Sequence, residues 1–224
     1  MPGCGNSDLS QKLLTKLGVS NLEVHSVDYE EAVVKKMEES KPKDLKLTYS
    51  VGDVTKLVGH ADAGYEYAVD KGTLDAIAVD DKEETVKMCH TYFKEMVRVL
   101  AKDGTFMIVS LLQPHVYKIL LDYFVKGDDL ANLFTIKVNR IEHIEGYAEK
   151  QFIKYFVSVK KMPIDSSNAK QLEMRTKLQD MVHIKDSVNS EVQSLNYEKA
   201  IEKIKVDQQI YMIAPTLKSL DKGR

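Results

Sequence analysis

Apolar positions along this chain switch repeatedly between two spacings, and the switches mark out its elements. Leu9, Leu13, Leu14 and Leu17 recur three to four residues apart, as one helix face requires. Asn6 and Ser7 stand where a cap belongs, and Gly18 where such a helix stops. Residues 22–27 alternate like a strand and close on Asp28. Helical spacing returns over 29–39, with Ala32, Val33, Val34 and Met37 inward, and residues 45–51 alternate again before Gly52 and Asp53. A short strand over 65–69 runs to Asp70. The longest helical pattern, 82–101, carries Val86, Cys89, Phe93, Met96, Val97 and Leu100 on one face, and Lys102-Asp103-Gly104 stops it. Residues 106–112 are an almost unbroken apolar run, expected of a strand covered on both faces. Pro114 suits the first turn of the next helix, whose apolar face is Val116, Ile119, Leu120, Tyr123 and Phe124, up to Gly127. Residues 134–144 and 151–159 read as two strands joined by a turn around Glu145 and Gly146.

Helices alternating with strands predict an α/β fold: a mostly parallel sheet with helices on both faces. The closing strand pair, with no helix between its members, adds one antiparallel strand at the edge. Residues 162–224 differ in composition and read as a C-terminal extension, partly helical, with helices from 166–168 and over 197–213. They carry no legible chemistry.

Composition narrows the setting. Over 224 residues, 43% hydrophobic and 29% charged content describe an ordinary globular chain. A net charge of −2 with scattered lysines offers no electrostatic footing for nucleic acid or a membrane surface. No apolar run approaches the roughly 20 residues that span a bilayer, and no signal peptide opens the sequence. Cys4 and Cys89 make neither a disulfide framework nor a zinc pattern, so a reducing, cytoplasmic setting is expected. The 6 histidines have no metal-ligand spacing; only His115, beside Pro114 at a strand-to-helix turn, is placed to face a target.

Candidate chemistry lies at the strand ends, where open α/β sheets bind ligands. Gly3-Cys4-Gly5 is a turn that lets backbone approach a ligand closely, and it runs straight into a helix start. Asp28 follows Gly5 by 23 residues, near the spacing at which a carboxylate meets ribose hydroxyls. Asp53 ends the next strand, where it can accept from an exocyclic amine, and Asp70 ends the strand after that. Each has a plainer reading. Asp28 can be an N-cap, Asp53 turn chemistry, and Asp70-Lys71-Gly72 a turn with a local ion pair. The order and spacing of all four favour a nucleoside-type cofactor.

Pro-Gly-Cys-Gly-Asn-Ser (2–7), Ser-Val-Asp-Tyr (26–29), Gly-Asp-Val (52–54), Val-Asp-Lys-Gly-Thr-Leu-Asp-Ala (69–76) and Ser-Leu-Leu-Gln-Pro-His (110–115) resemble the motifs of class I, seven-strand S-adenosylmethionine-dependent methyltransferases. The resemblance extends to a branch acting on translation elongation factor 1-alpha. It implies a Rossmann-like methyltransferase domain over 1–161 with S-adenosylmethionine as cofactor. Gly3, Cys4 and Gly5 would then face the methionine portion, with Asn6 and Ser7 opening the adjacent helix. Asp28 would bind the ribose hydroxyls, Tyr29 lie beside the adenine, and Asp53 with Val54 hold the adenine edge. Asp70 would sit by the sulfonium as the catalytic residue, orienting the amine or taking its proton, with Lys71 and Gly72 shaping the target entrance.

In the resembled fold a central strand delivers the glycine turn. Here the turn opens the chain, so the domain is expected to lack that first strand and to be N-terminally incomplete. The expected function is methyl transfer to a protein lysine amine, on elongation factor 1-alpha. The alternatives are a methyltransferase for a small molecule and a non-catalytic module that binds a partner or forms a homodimer through 162–224.

Overall fold

The computed structural model describes residues 1–17, 19, 21–127, 132–141, 154–163, 181–185, 192–196 and 198–203. After helix α1 (Leu9–Lys16), strands β1 (Val24–Asp28) and β2 (Leu47–Val51) pair in parallel across helix α2 (Glu31–Ser40). Alternation puts Leu47 and Tyr49 of β2 inside, and helical spacing brings Val34 and Met37 of α2 down onto them. Val51, expected inward, is exposed at the strand end, and Leu17 is exposed beyond α1. Gly18 lies outside the described residues.

A second sheet has the order β3-β4-β6-β5-β7-β8, formed by β3 (Tyr65–Lys71), β4 (Leu100–Ser110), β5 (Asn132–Ile141), β6 (Lys154–Pro163), β7 (Met181–Lys185) and β8 (Val192–Asn196). β3 and β4 are parallel, and β6 runs antiparallel to both β4 and β5. The antiparallel strand expected at the edge therefore lies inside the sheet, because β7 joins β5 in parallel and β8 follows antiparallel to it. Both strands come from the stretch read as partly helical, so the ladder continues across residue 161. Residues 198–203 are helical, within the span expected, and Ala200 is buried in the core. The expected helix start at 166–168 and the turn at Glu145 and Gly146 lie outside the described residues.

The core sits between β3, β4 and two helices, α4 (Glu83–Val99) and α5 (Pro114–Phe124), which follow the short helix α3 (Thr73–Ile77). α4 buries Cys89, Tyr92, Phe93, Met96 and Val99, so its inward stripe takes Tyr92 and Val99 in place of Val97. Offset and edge-on rings join α4 to α5 and β5 through Phe93–Phe124 at 5.1 Å and Phe124–Phe134 at 5.0 Å. α4 passes directly into β4 at Leu100. The expected stop at Lys102-Asp103-Gly104 is instead a bulge inside that strand: Leu100 pairs with Tyr65 and Thr105 with Tyr67, while Asp103 takes a left-handed φ of 61°.

Among the described residues no strand joins β1 to β3. The opening residues run beside β1: the Val27 N–H donates to the Met1 carbonyl at 2.9 Å, and the Cys4 N–H donates to the Val27 carbonyl at 3.1 Å. Pro2 forms a parallel bridge to Val27. A cleft between the sheets is lined by His25 and Val27 of β1, Tyr65, Tyr67 and Ala68 of β3, and Met96 and Val99 of α4.

Candidate active site

The carboxyl ends of β1 and β3 and the glycine turn converge, and each joint is held by identifiable bonds. Gly3 and Gly5 both adopt left-handed φ, 59° and 53°, a region that costs other residues strain. The Gly5 N–H donates to Asp28 Oδ2 at 2.7 Å, and the Glu30 N–H donates to Asp28 Oδ1 at 3.1 Å. Asp28 is thus buried beneath the turn, ties it to the end of β1, and retains further lone pairs beyond the two bonds. Cys4 is buried between the two glycines, and burial pushes its thiol up to about 11.

α3 meets the same turn from the opposite side. The Thr73 hydroxyl is shared between the carbonyls of Pro2, at 3.0 Å, and Gly3, at 3.2 Å. Asp70 is turned inward beneath this helix with no exposed surface. Its Oδ1 accepts from the Thr73 N–H at 2.7 Å; its Oδ2 accepts from the Leu74 N–H and the Tyr92 hydroxyl, both at 2.9 Å. Burial raises its pKa to about 6, against the pull of these three donors. The residue expected to touch the amine is therefore occupied by the first N–H groups of α3 and the Tyr92 hydroxyl, with no surface open to solvent. Lys71 beside it is exposed and Gly72 half-exposed, with a left-handed φ of 82°.

Asp53 is exposed and organises its own turn: Oδ1 accepts from the Thr55 N–H at 2.9 Å and the Thr55 hydroxyl at 2.6 Å, and Oδ2 pairs with Lys56 at 3.1 Å. The Thr55 bonds, more than the lysine, hold its pKa below the usual carboxylate value. Val54 packs partly on the main core. Tyr29 and Val51 leave large apolar surfaces exposed, 81% and 55%, around the Asp28 and Asp53 end of the smaller sheet. Asn6 is exposed; Ser7 accepts the Leu9 N–H at 3.3 Å and so opens α1, whose N-cap is Asp8.

A family model described as a methyltransferase domain matches residues 2–120, more than half of the chain. The chain belongs to the methyltransferase domain family. Similar proteins include a human eEF1A lysine and N-terminal methyltransferase, 28% identical over 176 residues, which cover 77% of this chain and 24% of the human one. A homologue so named from Drosophila pseudoobscura pseudoobscura is 32% identical over 167 residues, or 73% of this chain and 23% of that protein. The matched part of the chain thus spans about a quarter of the length of these relatives. Among solved structures, a SAM-dependent methyltransferase from Methanosarcina mazei superposes with a TM-score of 0.50 at 14% identity, covering 72% of this chain and 90% of that one. The CurJ carbon methyltransferase superposes with a TM-score of 0.52 at 15% identity, covering 72% of this chain and 47% of that one. By family this is a methyltransferase domain, and it shares its fold with solved S-adenosylmethionine-dependent methyltransferases.

The residues of this methyltransferase domain suit that cofactor. A side chain built on Gly5 or Gly72 would meet no atom within 4 Å, so open space lies over both turns. Gly3, by contrast, is packed against Thr73. A buried carboxylate with spare lone pairs, an exposed flat ring at Tyr29 and open space over two glycine turns suit a ribose, a base and an amino-acid tail.

Two residues that hold this geometry together escaped the sequence reading: Thr73 and Tyr92. Thr73 and Tyr92 act through partners distant in the chain, which spacing alone does not expose. Asp70 lying three residues before Thr73 was the available signal, since that offset is the one at which an acid caps a helix.

Proposed function

We propose that this domain binds S-adenosylmethionine across the glycine turn and β1, and transfers its methyl group to a lysine amine of a protein, translation elongation factor 1-alpha. The observation that carries the cofactor half is Asp28 bonded to the Gly5 N–H beneath an open turn. The names of the similar proteins support the protein half.

The cofactor supplies an electrophilic methyl group, so the chain's task is mainly to hold two reactants in line. Gly3 to Gly5 face the amino-acid portion, Asp28 accepts from the ribose hydroxyls, and Tyr29, Asp53 and Val54 border the base. Asp70 is here a positioning residue: capped onto the N–H groups of Thr73 and Leu74, it fixes α3 and thereby the Lys71–Gly72 backbone at the target entrance. The acceptor lysine, with an ordinary pKa of about 10.4, must lose a proton before it attacks.

Calorimetric titration with S-adenosylmethionine tests the cofactor half. Wild-type protein is expected to bind, and Asp28→Ala to bind at least about 100-fold more weakly, as loss of a charge-assisted pair of bonds implies. Equal affinities would remove Asp28 from the site. Transfer of labelled methyl to purified elongation factor 1-alpha, abolished by replacing the modified lysine with arginine, tests the other half; label appearing only on small molecules would refute it.

A further inference from the structure

Beyond β4 the chain makes a short loop, residues 111–113, before α5, and this loop is held in an unusual shape. Leu112 is completely buried yet adopts a left-handed φ of 48°. A bulky residue stays there only when its surroundings impose it. The surroundings are legible. The Leu112 N–H donates to Ser110 Oγ at 2.7 Å, the Ser110 hydroxyl donates to Asp75 Oδ1 at 2.8 Å, and the Leu111 N–H donates to Asp75 Oδ2 at 3.3 Å. Beyond the loop, His115 Nε2 meets the Ala78 carbonyl at 2.8 Å, so both ends of the loop are tied to α3 or the residue after it.

α3 therefore spans two sides of the site. Through Thr73 it grips the glycine turn, and through Asp75 it grips the loop after β4. β3 and β4 are parallel neighbours in register from Tyr67↔Thr105 to Lys71↔Val109, so that loop leaves the sheet beside Lys71 and Gly72, at the target entrance. Gln113 is exposed there and Leu111 half-exposed. We propose that Asp75 is the positioning residue that sets the 111–113 loop, and through it the seat of the methyl-accepting group. The inference rests on the proposed methyl transfer and deepens it. A carboxylate is required because its two oxygens serve a hydroxyl and an N–H at once; an asparagine in the same place offers one acceptor and sets its own NH2 against the second donor.

The test compares wild type with Asp75→Asn and Asp75→Glu. For Asp75→Asn, calorimetric affinity for S-adenosylmethionine should stay within about twofold, while kcat/KM for the protein acceptor falls on the order of 10- to 100-fold, the cost of a misplaced reactant. Amide exchange at Leu111 and Leu112 should quicken by about tenfold or more with Gly5 unaltered, and Asp75→Glu should recover part of both losses. Three results would overturn the inference alone, given an active wild type. One is unchanged acceptor kinetics, another is unchanged exchange at the loop, and the third is a loss of cofactor affinity parallel to the loss of transfer. A wild-type protein that neither binds cofactor nor transfers methyl would instead overturn the proposed function and this inference together.

Discussion

Gly3 and Gly5 share a left-handed backbone but not an environment, and the pair separates folding from binding. At Gly3, an alanine Cβ would lie 2.2 Å from Thr73 Oγ1, 2.6 Å from its Cγ2 and 2.9 Å from its Cβ. Thr73 would have to move, and its hydroxyl would leave the Pro2 and Gly3 carbonyls. Left-handed strain of about 1–2 kcal/mol, overpacking of about 1–3 and a lost hydrogen bond of about 1 combine to roughly 3–6 kcal/mol. That is a large share of the 5–15 kcal/mol that an ordinary domain holds in reserve. Gly5→Ala carries the strain alone, about 1–2 kcal/mol, since its Cβ meets nothing within 4 Å. In urea unfolding, with a slope of about 2–3 kcal/mol per molar, Gly3→Ala should therefore unfold about 1 M earlier than Gly5→Ala. The order reverses in cofactor titration at low temperature: Gly5→Ala fills the space over the turn and should bind S-adenosylmethionine far more weakly. Adding Thr73→Ala to Gly3→Ala removes the two nearest clashing atoms and should return part of the lost stability as a measurable coupling. Coincident urea midpoints for the two alanine variants would refute the argument that Thr73 buttresses the turn.

Two further outcomes follow from burial. Asp70 titrates near 6 in the folded chain against an ordinary 3.8, so the folded state holds its proton longer than the unfolded one. Its contribution is present at low pH and is lost as pH rises from about 4 to 6; the advantage of wild type over Asp70→Asn should shrink by about 3 kcal/mol across that window, read from urea midpoints at each pH. A difference that is flat with pH, or that grows, would contradict the buried placement. Cys4 and Cys89 are both buried, with thiols pushed up to about 11, so at pH 8 only about one in a thousand is ionised. A thiol reagent should label neither in the native protein and both in denaturant; rapid native labelling of Cys4 would mean that the glycine turn is open.

How far the sequence exposed this architecture depends on how local each signal was. β1, α2, β2, α4 and α5 were readable because one face of each is apolar at a spacing that nothing else produces. The aspartates at 28, 53 and 70 were readable because they end such runs. α3 was not: five residues carry too little periodicity, and the element depends on Asp70 donating no side-chain signal of its own beyond its offset from Thr73. β7 and β8 were missed because each is short and gains its stability from pairing, β7 with β5 46 residues earlier by register, as in Ile136 with Val182. The site shows the same division. The residues proposed to face the ligand sit at predictable strand ends, whereas the bonds that shape the site cross the sheet: Thr73 to Pro2 over 71 residues, and Ser110 to Asp75 over 35. Loop-closure entropy opposes such distant contacts, and the pairing of β3 with β4 brings together the ends that carry them. α3 is thus the last piece the chain could specify locally and the first on which the active geometry depends, which is why substitutions at Thr73 and Asp75 should separate stability from catalysis more cleanly than substitutions in the core.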